Sequence, residues 1–169
     1  MPSKKQKLLI LCVIAVLCVS FDQSSKIIAL NNINPNAIIR ILGGSIRLQL
    51  AGNHGAFLSL GASLSETARF WIFIMAVSLA LISMIFYYFF SNNLSLMPSF
   101  ALSLVISGGL SNLIDRIIYQ GMVIDFLNIG IGPIRTGIFN LADFAITSGT
   151  FMLVYFYLTK NQSRPNFSE

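Results

Sequence analysis

The sequence predicts an all-α membrane fold, four transmembrane helices with a small β-element on one surface. Three observations predict it. Hydrophobic residues make up 55% of the 169-residue chain and charged residues only 10%, against about 25% charged in an ordinary soluble domain, and mean hydropathy is +0.76. Four apolar runs can each reach the roughly 20 residues that a bilayer-spanning helix needs. One short stretch between the first two runs alternates apolar and polar residues, as a half-buried strand does. The length fits a single domain. Four spans leave room for connections within 1–169 but none for a separate soluble enzyme.

The first span is expected over about 8–30. Leu8 to Phe21 is too short alone, so the helix must continue through Asp22-Gln23-Ser24-Ser25-Lys26 to Leu30. A cleaved signal peptide is the competing reading, since a basic start precedes a short apolar core. No good small-x-small site follows, and Leu17 before Cys18 spoils a lipoprotein cleavage box, so the helix is read as retained. Cys12 and Cys18 fall inside this run, six residues apart, and are read as buried small hydrophobes.

The segment 31–67 is expected outside the membrane. Within it Ala37–Leu42, Gly43-Gly44 and Ser45–Leu50 suggest a hairpin, with Gly-Gly as a two-residue turn. The second span, about 69–90, is uncharged from Phe70 onward. Trp71, Tyr87 and Tyr88 at its ends are read as interface anchors. The third, about 97–116, ends on Asp115-Arg116, and its Ser103, Ser107 and Ser111 make a small-residue stripe suited to close packing. The outer segment 117–137 is rich in Gly and Ile and gives no clear element. The fourth span, about 138–158, contains one charge, Asp143.

Lysine and arginine total 11 against 6 acidic residues, giving +5. The basic residues form no stripe, which argues against nucleic acid. Lys4, Lys5 and Lys7 precede the first span, and Lys160 and Arg164 follow the last. Four spans put both termini on one side, and the positive-inside rule makes that side the cytoplasm.

The acids are Asp22, Glu66, Asp115, Asp125, Asp143 and Glu169. At 1.5 Å per residue, Asp22, Asp115 and Asp143 stand ~21, ~27 and ~22 Å up a ~30 Å core. Three helices thus carry a carboxylate to one level near the outer face, and Asp125 lies on the outer segment joining two of them. An intramembrane charge costs at least ~2.5 kcal/mol and is a functional candidate by default. Asp22 has Lys26 at i+4 and Asp115 adjoins Arg116, so anchoring suits both. Asp125 and Asp143 have no basic residue within four positions and are freest to share a proton.

Other chemistries find no residues. His54 is the lone histidine, without HExxH, and GxSxG and P-loop patterns are missing. Cys18 within an apolar helix would be inert. Two carboxylates activating water remain, one as base and one as acid. No metal or cofactor is expected.

The blocks Asp22-Gln23-Ser24-Ser25-Lys26, Asn53-His54-Gly55-Ala56, Gly108-Gly109 with Asn112-Leu113-Ile114-Asp115-Arg116, Val123-Ile124-Asp125-Phe126 and Phe139-Asn140-Leu141-Ala142-Asp143 resemble signal peptidase II, the bacterial lipoprotein signal peptidase, in the family's order. The resemblance implies an aspartic endopeptidase of the bacterial cytoplasmic membrane. It would cut prolipoproteins before a cysteine carrying diacylglycerol, with membrane lipids as neighbours and the chain as a monomer. It implies Asp125 and Asp143 as the catalytic pair. It carries Asp22, Lys26, Asn53, Gly55, Gly108, Asn112, Arg116 and Asn140 as residues that line or shape the site, and an outer β-cradle that agrees with the hairpin at 37–50.

Two segments depart from the family pattern. Ala56-Phe57-Leu58-Ser59 stands where Ala-Ala-Phe-Ser is usual, and Gly108-Gly109-Leu110-Ser111-Asn112 is one residue short. Both bear on substrate range more than on the pair. Read from the residues alone, Asn53 and Gly55 suit a turn, Gly108-Gly109 a packing notch, and Asn140 a partner for Asp143. Two other function classes stay open, a proton-coupled transporter subunit and a non-proteolytic paralogue that binds lipidated peptides.

Overall fold

The computed structural model describes residues 1–54, 65–92 and 94–162. Four helices are long and apolar enough to cross a membrane. Helix α1 (Lys4–Asn32) starts on a reciprocal cap, in which the Ser3 hydroxyl accepts from Gln6 N and the Gln6 side chain accepts from Ser3 N. It continues unbroken through Asp22 and Lys26, as the length of a span requires. Helix α2 (Glu66–Phe90) is capped by Ser65, and α3 spans Leu96–Ile118. Helix α4 (Leu141–Gln162) begins three residues later than hydropathy alone predicts, because Asn140 is its cap and not part of its body.

Helix α3 is the centre of the bundle. About half of its most apolar stretch is buried inside the protein, against 6% for α2. The buried serines explain how a polar stripe can sit there. Ser99, Ser103 and Ser107 each donate to the carbonyl four residues back, at 2.8, 2.8 and 2.6 Å, so no hydroxyl of the three is left unpaired away from water. Small residues then let α4 approach. A Cβ on Gly108 would lie 2.5 Å from Ala142 O, and one on Gly149 would lie 2.5 Å from Ala101 O.

The ends of α1, α3 and α4 carry a four-stranded antiparallel sheet. Its strands β1 (Ile39–Ile41), β2 (Ile46–Asn53), β3 (Val123–Ile131) and β4 (Ile134–Arg135) lie in chain order. The hairpin expected at 37–50 is present, but its turn is longer than Gly43-Gly44. Ile41 pairs with Ile46, and the chain reverses through Leu42, Gly43 and Gly44 at φ 51, 65 and 90°. The reversal therefore takes four residues, 42–45, with an unusual left-handed leucine at its start. The segment 117–137, unreadable in sequence, supplies the long inner strand β3. Phe126 on β3 buries against Ala29 of α1 and Ile33, the residue that caps it, which seats the sheet on the bundle.

Two readings of the far end need correction. Tyr88 is fully buried, not an interface anchor; its hydroxyl donates to Lys7 O at 2.8 Å and lies 3.2 Å from the Ser103 hydroxyl. Lys7 is also buried, and its ammonium donates to Tyr88 O and Ser91 O at 3.0 and 2.8 Å. A cation thus meets the carbonyls that α2 leaves free at its C-terminus. Trp71 and Tyr87 remain exposed, as anchors would be. Cys12 is exposed on the helix surface and Cys18 is half-buried, so Cys12 is not the core residue expected.

Candidate active site

The site is built on a buried charge cluster. Lys26 Nζ lies 2.6 Å from Asp22 Oδ2 and 2.7 Å from Asp115 Oδ2, and all three side chains are almost wholly buried. The common level expected for the aspartates is thus a direct contact between α1 and α3. Each carboxylate also has neutral donors. Asp22 accepts from the Ser111 hydroxyl at 2.7 Å and from Ala142 N at 2.9 Å, so α1 holds the N-terminus of α4. Asp115 accepts from Ile124 N at 3.0 Å and from Gln23 Nε2 at 2.7 Å, fixing where β3 begins. Full pairing is what permits such burial.

The sequence suggests Arg116 as the partner of Asp115, and the structure corrects this. Consecutive helical residues point about 100° apart, and the cation that reaches Asp115 is Lys26 from the neighbouring helix. Arg116 instead donates to Asn112 O at 3.3 Å and lies within electrostatic reach of Asp143, Asp125 and Asp115.

Above this floor two asparagines hold Asp125 and Asp143. Asn140 Nδ2 donates to Asp125 Oδ1 at 2.7 Å, and Asn140 N donates to Asp143 Oδ2 at 3.2 Å. Asn140 Oδ1 accepts from Asp143 N at 2.8 Å. Asn140 and Asp143 therefore cap α4 reciprocally, and the same cap bridges the two carboxyl groups. Asn112 Nδ2 donates to Asp143 Oδ1 at 2.8 Å, while Asn112 Oδ1 accepts from Lys26 Nζ and Asn140 Nδ2, each at 3.2 Å. A continuous chain of hydrogen bonds thus links the buried ammonium to both carboxyl groups.

Asp125 is not on a loop, as the sequence suggests, but inside β3 and buried. Its Oδ2 accepts from Asn53 Nδ2 at 3.1 Å, a contact made possible because β2 and β3 pair in this region. Burial, then the charge of Asp143, push the Asp125 carboxyl up to about 6 against the pull of its Asn53 and Asn140 donors and of Lys26. Two neighbouring acids of which one resists ionisation can hold a single proton between them. That arrangement can take a proton from water and give one to a leaving group.

Of the residues expected to line or shape the site, Asp22, Lys26, Asn53, Asn112 and Asn140 converge on the pair by the contacts above, and Arg116 stands beside them. Gly108 does not reach the carboxyl groups; it is where α3 packs against Ala142 and Ile146. Gly55 and the altered stretch 56–59 lie outside the described residues. Asp115 joins the constellation as an anchor, the role expected of it, and Gln23 and Ser111 join it without having been singled out for it by sequence reasoning. A glutamine beside an aspartate within an apolar run is the available signal for Gln23. Ser111 is hidden by its place in a packing stripe.

Comparison with known proteins identifies the family. Residues 14–159 match the family described as Signal peptidase (SPase) II. The chain is 33% identical over 152 residues to the lipoprotein signal peptidase of Clostridioides difficile (strain 630), covering 89% of this chain and 97% of that protein. It is 35% identical over 142 residues to that of Burkholderia mallei (strain SAVP1), covering 84% and 83%. Two solved bacterial membrane enzyme structures, obtained by the in meso method at 2.3 and 1.9 Å, superpose with TM-scores of 0.78 and 0.76 at 28% and 26% identity. They cover 94% and 88% of this chain, and 93% and 92% of their own. With four apolar helices, a small antiparallel sheet and a match across most of its length, the chain belongs to the signal peptidase II family of membrane peptidases.

Proposed function

We propose that this peptidase removes the signal peptide of prolipoproteins, cutting before a cysteine that carries diacylglycerol, with Asp125 and Asp143 activating the water. The observation that carries the reading is the bridge of Asn140 between the two carboxyl groups, one of them raised to about 6. Asp125 starts with the shared proton. Asp143, facing donors from Asn112 and the α4 cap, takes a proton from water. The hydroxide attacks the scissile carbonyl carbon, the C–N bond breaks, and Asp125 passes its proton to the leaving nitrogen. The pair then again holds one proton, now on Asp143, and is ready for another turnover.

Lys26, Asp22 and Asn112 position the pair and do not exchange protons with the substrate. Arg116 offers a positive charge near the oxyanion that forms, a place where charge stabilisation counts most. The setting of the pair at the end of three spans suits a substrate anchored in the same bilayer by its lipid. The enzyme works in the bacterial cytoplasmic membrane as a monomer, both termini in the cytoplasm, with its site near the outer face.

The test is incubation of the purified protein in detergent with a prolipoprotein before and after diacylglyceryl transfer, read by gel shift. Only the lipidated form is expected to shorten, by the length of its signal peptide. Equal cleavage of the unlipidated form would refute the lipid requirement. No cleavage of either would refute the reading.

A further inference from the structure

The sheet has a second feature that the peptidase chemistry does not use. Arg40 on β1 pairs directly with Arg47 on β2, and Arg47 pairs with Asn128 on β3. Directly opposed residues share a face, and like charges so placed repel. Arg135 on β4 reaches the same row, where its Nε donates to Asn128 Oδ1. Three arginines therefore cross the sheet beside one asparagine. The only carboxylate within these strands is Asp125, which is held by Asn53 and Asn140. Among the described residues none of the three arginines forms a salt bridge, and Arg47 Nε is buried with no hydrogen-bond partner.

Arg135 also fastens two turns together. Its Nη1 donates to Gly44 O and Gly130 O at 3.0 and 3.2 Å, and its Nη2 to Ser45 O and Asn128 O at 3.3 and 3.2 Å. With Nε this uses all five donors on carbonyl and amide oxygens, which leave the positive charge unneutralised. The clip brings the 42–45 turn against the 131–134 turn. The apolar residues at these tips are left outside: Leu42 is 74% exposed, Ile131 81% and Ile134 82%. Beside them opens a cleft of about 870 Å³ lined by Ile129, Ile131, Ile134, Arg135 and Thr136.

Bare apolar tips backed by uncompensated arginines are the pattern of an element that settles into a lipid interface. The connections fix how far it can stray. Residues 33–38, 119–122 and 136–140 tie the sheet to the ends of α1, α3 and α4, so it cannot leave the membrane face. Ile131 lies six residues along β3 from Asp125, roughly 20 Å at strand rise. A sheet standing upright would carry its isoleucines that far into water, whereas a sheet tilted with its turns toward the surface brings the isoleucines of one face and the arginines of the other among lipid head groups.

We propose that the two clipped tips dock on the bilayer that the helices span, with the facing pair Arg40 and Arg47 selecting anionic phospholipid head groups. Each arginine held at such a surface favours anionic over zwitterionic lipid.

The test is hydrogen exchange of the full-length protein in nanodiscs of phosphatidylcholine alone or mixed with phosphatidylglycerol. The wild type is expected to exchange several-fold more slowly over 39–48 and 129–135 in the anionic discs. R40Q/R47Q should lose that difference while keeping the slow exchange of α3, which shows that it is folded. K4Q/K5Q, altered at the other end of the bundle, should keep it. Equal exchange in both lipids, or a difference that survives in R40Q/R47Q, would overturn the proposal. Protection by a soluble poly-aspartate peptide but not by phosphatidylglycerol would also overturn it, and would assign the row to an acidic polypeptide.

Discussion

At the scale of single residues, the behaviour of Asp125 follows from where β3 puts it. A carboxyl raised to about 6 by burial and by Asp143 is protonated at no cost below its unfolded value near 4. Its charged form is disfavoured in the folded protein. Stability is therefore full below about pH 4 and declines as pH rises through about 6. An asparagine in its place keeps the size and never ionises. Thermal unfolding in detergent should show Asp125→Asn more stable than wild type at pH 8, with the gap closing below pH 4. A variant less stable than wild type at pH 8 would contradict the raised value. The pair itself is legible in sequence because Asp125 and Asp143 lack nearby cations in the chain. Asn53 as a residue that lines or shapes the site is legible only through the family resemblance, and its contact with Asp125, 72 residues away, depends on pairing between strands. Lys7 misleads for a similar reason. Its place near the N-terminus looks like a solvated flank, and the carbonyls that bury it lie 81 and 84 residues away.

At the scale of elements, the spans are legible because each must satisfy its own backbone and be apolar over a bilayer's thickness. The start of α4 differs because the Asn140–Asp143 cap overrides hydropathy. The sheet is harder: β3 reads as a Gly- and Ile-rich run without clear alternation, and its partner β2 lies far away in sequence. What holds these elements around the site is Lys26. It ties α1 to α3 through Asp22 and Asp115, and Asp22 in turn holds the first turn of α4. Lys26→Ala should strand two buried carboxylates and destabilise the protein by about 3–5 kcal/mol, with partial turnover in whatever remains folded. Denaturation in detergent alongside an activity assay measures both. Wild-type stability with complete loss of turnover would move Lys26 from the frame into the chemistry.

At the scale of the whole molecule, a site built where three helices end gains its meaning from which side of the membrane that end faces. The basic residues at both termini predict that the end distant from the sheet is cytoplasmic. Single cysteines at Ser3 and at Gly132, in a background lacking Cys12 and Cys18, should differ in whole cells. A membrane-impermeant thiol reagent is expected to label position 132 and not position 3, and the reverse pattern would place the site on the wrong side for an exported substrate. The fold also delivers Asp125 from the sheet and Asp143 from α4 to one asparagine cap, and the central claim rests on that meeting. The direct measurement is turnover of lipidated prolipoprotein by Asp125→Asn and by Asp143→Asn, each assayed separately with lipopeptide binding followed in parallel. Asparagine keeps size and polarity but transfers no proton, so each change should remove essentially all cleavage while binding persists. Substantial cleavage by either variant would contradict the two-aspartate mechanism.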